Sequence, residues 1–114
     1  MLNLVETLTH KYFNHFSNKN LDEISAMFSK HVELVDWSLN EKGIKNVTNA
    51  YKNIFDGVIS IRVIPYHVYV DDLTAIAQIK IDVETENGVE ILEVVDIIQY
   101  DEDAKIRRVT AYKR

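Results

Sequence analysis

The chain contains no cysteine. That excludes a disulfide scaffold, a thiol nucleophile and any zinc site built on thiolates. It has one proline and three glycines in 114 residues. So few breakers leave room for long elements, and no repeat, low-complexity tract or linker divides them. One domain covering 1–114 is expected. Basic residues are the minority, 13 against 18 acidic, for a net charge of −5. No Lys/Arg run gathers them, so no nucleic-acid partner is expected. Lys105, Arg107, Arg108, Lys113 and Arg114 come nearest to a basic cluster and read as the solvated side of a last strand. No apolar run is long enough to span a bilayer, and Glu6 interrupts the place where a signal peptide would be apolar. No membrane contact and a cytoplasmic location are the expectation. Phosphate-binding glycine loops and nucleophile elbows are missing as well. His10 and His15 are five apart, too far round a helix to share a metal, and no metal or other cofactor is expected.

What is present is a globular composition, 46% apolar and 27% charged, patterned in two halves. Val5, Leu8, Tyr12 and Phe16 recur at three- and four-residue spacing, with Phe13 at the edge of the stripe. They predict a first helix. Asn20 is placed to cap a short second helix, with Glu23 reaching back to it and Leu21, Ile24, Met27 and Phe28 facing inward. A strand is expected at Val32–Asp36. Gly43 precedes a third helix with Ile44, Val47, Tyr51, Ile54 and Phe55 on one face, and Gly57 is expected to end it in the left-handed conformation.

From Ser60 onward the period falls to two, and four strands are expected at about 60–70, 73–85, 89–100 and 105–112. Asp71-Asp72, Asn87-Gly88 and Asp101-Glu102-Asp103 supply the turns. Pro65 marks the first of these strands as an edge or a bulge. The third is apolar on both faces at Val94, Val95, Ile97 and Ile98, which fits either a central position or a dimer interface on its outer face. Helices first and strands after is the order of an α+β fold: three helices and a curved antiparallel sheet enclosing an apolar pocket.

Four polar residues stand out against this background. Asp96 interrupts the most apolar strand and shares its face with Leu92, Val94, Ile98 and Tyr100. A buried aspartate either pairs with a neighbour or shifts its pKa upward. Asp36 ends an apolar strand beside Trp37, where a pocket mouth or a plain solvated turn are both open. Tyr12 and Tyr51 lie on inward helical stripes, and a buried tyrosine needs a partner for its hydroxyl.

The order of these elements, with Lys11-Tyr12, the stretch from Asn20 to Ile24, Met27-Phe28, Val32–Asp36, Gly43, Asp96-Ile97-Ile98 and Ala111-Tyr112, resembles the nuclear transport factor 2-like superfamily. It is most similar to the SnoaL-like and ketosteroid-isomerase-like members, which implies a cone-shaped α+β barrel with three N-terminal helices on a curved mixed, mainly antiparallel sheet. The resemblance puts Asp36 on the general base of those isomerases, Tyr12 and Asp96 on the two donors of their oxyanion hole, and Tyr51 on a tyrosine of the same hydrogen-bond network. It implies a small hydrophobic molecule as ligand, Phe16, Phe28, Trp37, Tyr51 and Phe55 as pocket walls, and a homodimer formed through the outer sheet face. Two departures are visible: a shorter loop between Asp36 and Gly43, and Trp37 in place of a proline after the base. Two functions follow, proton transfer next to a carbonyl, or a non-catalytic ligand-binding or dimerisation module.

Overall fold

The N–H groups at a helix start have no partner within the helix, and Asn3 supplies one: its Oδ1 accepts from Val5 (2.9 Å) and Glu6 (3.2 Å). The computed structural model describes residues 3–114. Helix α1, Leu4–Ser17, buries Val5, Thr9, Tyr12 and Phe13. Leu8 and Phe16 are half-buried. Helix α2 covers only Leu21–Ala26. Asn20 precedes it, but its side chain makes no cap. The Asn20 amide donates instead to His15 Nδ1 at 3.2 Å. The expected capping box is not formed; the Asn20 side chain is held against the end of α1 instead.

Phe28 does not belong to the second helix as expected. It opens strand β1, Phe28–Val35, four residues before the predicted start. Sheet pairing overrides helical continuation here: Ile106 N–H donates to Met27 O at 2.8 Å, and Phe28 is in register with Ile106. A short strand β2, Asn40–Lys42, was not anticipated. It folds back antiparallel on β1, from Glu33↔Lys42 to Val35↔Asn40. Gly43 then turns the chain at φ +86°, a conformation glycine adopts cheaply. Helix α3, Ile44–Asp56, buries Val47, Ala50, Tyr51 and Phe55. Gly57 is not left-handed as expected; it stays right-handed at φ −85°, its N–H still bonded to Asn53 O and Ile54 O.

The four long strands are β3 (Ser60–Asp71), β4 (Thr74–Thr85), β5 (Gly88–Tyr100) and β6 (Ile106–Lys113). Among the described residues the sheet has six strands in the order β2-β1-β6-β5-β4-β3. Only the β1–β6 pair is parallel. β5 lies between β6 and β4, the expected central position, but its outer face is not covered: Val95 is exposed. β3 is an end strand, and its register shifts between Pro65 and His67. Pro65 thus marks both an edge and a bulge. The hairpin around Asn87-Gly88 forms, but its loop is Glu86-Asn87, closed by the pair Thr85↔Gly88, with Gly88 at φ +116°.

Three helices on this mixed sheet give the expected α+β cone, and the sheet itself is not closed: β2 and β3 are its two ends. The core lies between helices and sheet, with Ile24, Val32, Val47, Ala75, Ala77, Ile98 and Ile106 fully buried. No helix among the described residues is long and apolar enough to cross a membrane.

Candidate functional site

Residues directly opposite across a sheet point to the same face. Asp96 on β5 stands opposite Ala77 on β4 and Ala111 on β6. Neither alanine can offer a hydrogen bond. No side chain among the described residues bonds the Asp96 carboxyl, although the residue is only 7% exposed. Of the two alternatives left by the sequence, pairing with a neighbouring strand is thereby removed. The shifted pKa remains: the carboxyl is pushed up to about 7, first by burial and then by the negative charge of Asp36.

Asp36 follows directly on the end of β1. Val35 pairs with Thr110, so Asp36 stands level with Ala111, in the same row as Asp96. Its surroundings are opposite in kind. The Oδ1 atom accepts the N–H groups of Ser38 and Leu39, each at 2.7 Å. The Asp36 N–H donates to Leu39 O at 2.9 Å. This turn fixes the carboxylate through one oxygen. The other oxygen, Oδ2, receives no hydrogen bond from the described residues.

Tyr12 and Tyr51 meet hydroxyl to hydroxyl at 2.5 Å, both buried. Each is the partner the other needs. Burial holds both hydroxyls above the ordinary tyrosine range, and for Tyr12 the neighbouring Tyr51 and then Asp96 add to it. A second buried link ties α1 to β5 nearby. Thr9 Oγ1 donates to Val5 O at 2.8 Å and so accepts from the Tyr100 hydroxyl, also at 2.8 Å. Tyr100 is four residues from Asp96 on the same strand face, and Thr9 lies one helical turn from Tyr12. This link sets the depth at which Tyr12 faces Asp96. Burial pushes the Tyr100 hydroxyl to about 12.

Between helices and sheet lies a cavity of about 260 Å³. Tyr12, Phe16, Asp36, Trp37, Tyr51 and Asp96 all line it. Two expected wall residues do not. Phe28 packs against the Tyr51 ring at 5.3 Å, away from the cavity, because it begins β1 rather than ending α2. Phe55, one turn beyond Tyr51, stacks edge-on against Phe16 at 5.4 Å. Both hold the ring wall from behind. Conversely, Leu39, Ile54, Glu90, Leu92, Val94 and Ala111 line the cavity without having been named as walls. Glu90 was detectable, since it continues the inward period of Leu92, Val94 and Asp96. Ala111 was not, because its place opposite Asp96 depends on strand register. A larger hollow of about 620 Å³ between α2 and α3 is lined by Leu21, Ser25, Lys45 and Lys52 among others, and by none of these residues.

Such a cavity offers apolar walls, the Asp36 carboxyl at the mouth, and the Tyr12 hydroxyl and the Asp96 carboxyl with its raised pKa at the floor. At the sequence level, no functionally curated protein matches the chain. Solved structures match its fold closely. An NTF2-like protein of unknown function from Exiguobacterium sp. 255-15 superposes with a TM-score of 0.83 at 18% identity, covering 93% of this chain and 97% of that one. An LEH-like epoxide hydrolase from M. tuberculosis gives 0.86 at 11% identity, covering 97% and 83%. SalBIII, an epoxide hydrolase/cyclase-like enzyme in pyran ring formation in the polyether salinomycin, gives 0.85 at 12% identity, covering 96% and 90%. The family model of the SnoaL-like domain matches residues 9–109. The chain has the fold of that NTF2-like protein, and it is a member of the SnoaL-like domain family.

Proposed function

We propose that this protein binds a small, mainly apolar carbonyl compound in the cavity and moves a proton next to the carbonyl. One observation carries the reading: two aspartates share one cavity, one fixed by backbone donors at the mouth, the other buried without a partner beside Tyr12. Asp36 removes a proton from the carbon adjacent to the carbonyl, through Oδ2. The electron pair of that C–H bond forms a C=C bond to the carbonyl carbon, and the carbonyl π pair moves onto the oxygen. Tyr12 and the protonated Asp96 donate hydrogen bonds to the charge that develops there. Either hydroxyl of the Tyr12–Tyr51 pair can donate; in this reading Tyr51 does, so that the Tyr12 proton is free for the ligand. Asp36 then returns its proton to the same or another carbon, and the electrons flow back. Epoxide hydrolysis and ring formation, the activities in the names of two related structures, also call for an acid and a base in one apolar cavity.

The test is deuterium exchange from solvent into a panel of small ketones. Wild type is expected to exchange at least one of them and Asp36→Asn to lose that exchange. Equal exchange by both, or none with any ketone, sinks the mechanism.

The second reading, a binding and dimerisation module without turnover, has its own observation. The outer sheet face exposes Tyr69, Ile76, Val95 and Tyr112. A second copy covering this face gives a homodimer. Sedimentation equilibrium is expected to show a dimer for wild type and a monomer for Ile76→Glu. A monomeric wild type across the micromolar range removes the dimer.

A further inference from the structure

The row that holds both aspartates differs from the next row deeper in the sheet. There, Leu34 on β1, Val109 on β6 and Ile98 on β5 stand opposite one another. Three branched side chains fill that row, and all three residues are buried. In the functional row the middle position is Ala111, flanked by Asp36 and Asp96. Strands lie ~4.8 Å apart, so the two aspartate backbones are about 10 Å apart, with only a methyl group rising between them. Ala111 lines the cavity and is half-buried, so this trough belongs to the open space rather than to the core.

Two further facts define what fits. At ~30 Å³ per water the cavity holds about nine waters, the bulk of one ring or of two fused six-membered rings; the site volume is about 260 Å³. Its lining includes three carboxyl residues, Asp36, Glu90 and Asp96, and no Lys, Arg or His. Glu90 sits exposed on the inward face of β5 at the rim. Lys113, level with Val94, is held over the Trp37 ring at 5.2 Å instead of lining the space. An anion entering would leave water for apolar walls and carboxylates, which costs far more than a neutral ligand of the same shape.

We propose that the cavity selects an uncharged, compact ring ketone lying across Ala111, with Ala111 setting the size limit and Glu90 turning anions away. This rests on the carbonyl-binding reading above. The reacting carbon lies on the Asp36 side of the methyl group and the carbonyl oxygen on the Asp96 side. Any larger residue at 111 would fill the trough as Val109 fills the row below.

Binding of two shape-matched probes tests this without turnover, by calorimetry at mildly acidic pH. There 2-naphthol is neutral and 2-naphthoate is ionised. Wild type is expected to bind 2-naphthol at least tenfold more tightly than 2-naphthoate. Ala111→Leu is expected to weaken 2-naphthol at least tenfold, with the Asp96 carboxyl resonance still titrating as in wild type. Glu90→Gln is expected to narrow the naphthol–naphthoate gap severalfold. Equal or tighter binding of 2-naphthoate, full 2-naphthol affinity in Ala111→Leu, or no binding of either probe by wild type overturns the proposal. If Ala111→Leu does not fold, the two probes on the unmodified protein decide alone. Failure of ketone exchange with intact 2-naphthol selectivity removes the proton transfer and keeps the selectivity.

Discussion

Asp36 and Asp96 stand in one row of one sheet, two strands apart, and meet opposite surroundings. The mouth gives Asp36 two backbone N–H donors and partial exposure. The floor gives Asp96 two alanine neighbours and no donor. Identical side chains thereby meet different environments for a charge, which is cheap where donors meet it and expensive where only methyl groups do. The negative charge of Asp36 adds to the burial that raises the Asp96 carboxyl to about 7. Floor and mouth should therefore respond differently to mutation. Changes at the mouth should alter rate and leave stability almost untouched. Changes at the floor should alter both.

The largest effect is expected at the mouth. Asp36→Asn keeps an Oδ1 acceptor for Ser38 and Leu39 but removes the base. Ketone exchange is expected to fall about a thousandfold, while the urea midpoint stays near that of wild type. A large loss of stability here would break the contrast.

Next comes the floor, through pH. Below the ordinary aspartate value of 3.8, Asp96 is protonated in both folded and unfolded chains. Between 3.8 and about 7 the unfolded chain ionises it and the folded one does not. Stability must therefore fall with rising pH across that window and level off above it. At ~1.4 kcal/mol per pH unit the loss approaches about 4 kcal/mol. Asp96→Asn lacks the charge and should lack this slope. Parallel urea curves for both proteins from pH 4 to pH 8 would show that Asp96 is paired after all.

Tyr12→Phe tests the floor in a second way. Loss of one oxyanion donor is expected to lower exchange about a hundredfold. The same change leaves the buried Tyr51 hydroxyl without its partner and is expected to cost about 1–2 kcal/mol of stability. A rate effect with unchanged stability would mean that Tyr51 finds another acceptor. The smallest effect is expected at Lys113→Ala, which removes the cation over Trp37 and should cost about 0.5 kcal/mol. It sharpens the picture of the mouth if 2-naphthoate binding falls no further.

Much of this was legible in the chain itself. Period-two alternation after Ser60 gave all four long strands, and Pro65 marked the edge and its bulge. Helical stripes put Tyr12 and Tyr51 inside. Asp96 announced itself as a charge in the most apolar strand. Three elements departed from the local expectation, each for a physical reason. Phe28 sits on a helical period, yet pairing with Ile106 draws it into β1, and with that it leaves the cavity wall. Asn20 has the right residue type for a cap, but His15 lies within its reach. Gly57 follows a helix and was free to turn left-handed, but its N–H found acceptors without doing so. For Phe28 a partner distant in sequence outweighed a local preference, whereas for Asn20 and Gly57 a neighbouring turn of helix supplied the partner.

The sequence by itself determined which residues are apolar, where the periods change, and that an acid would be buried in the fifth strand. Those depend on residue type and spacing along one chain. The tertiary structure decided that Ala77 and Ala111 flank that acid, that Asp36 stands in its row, and that a methyl group separates the two carboxyls. Those depend on register between strands far apart in sequence, where a shift of one residue would turn Asp96 to the opposite face.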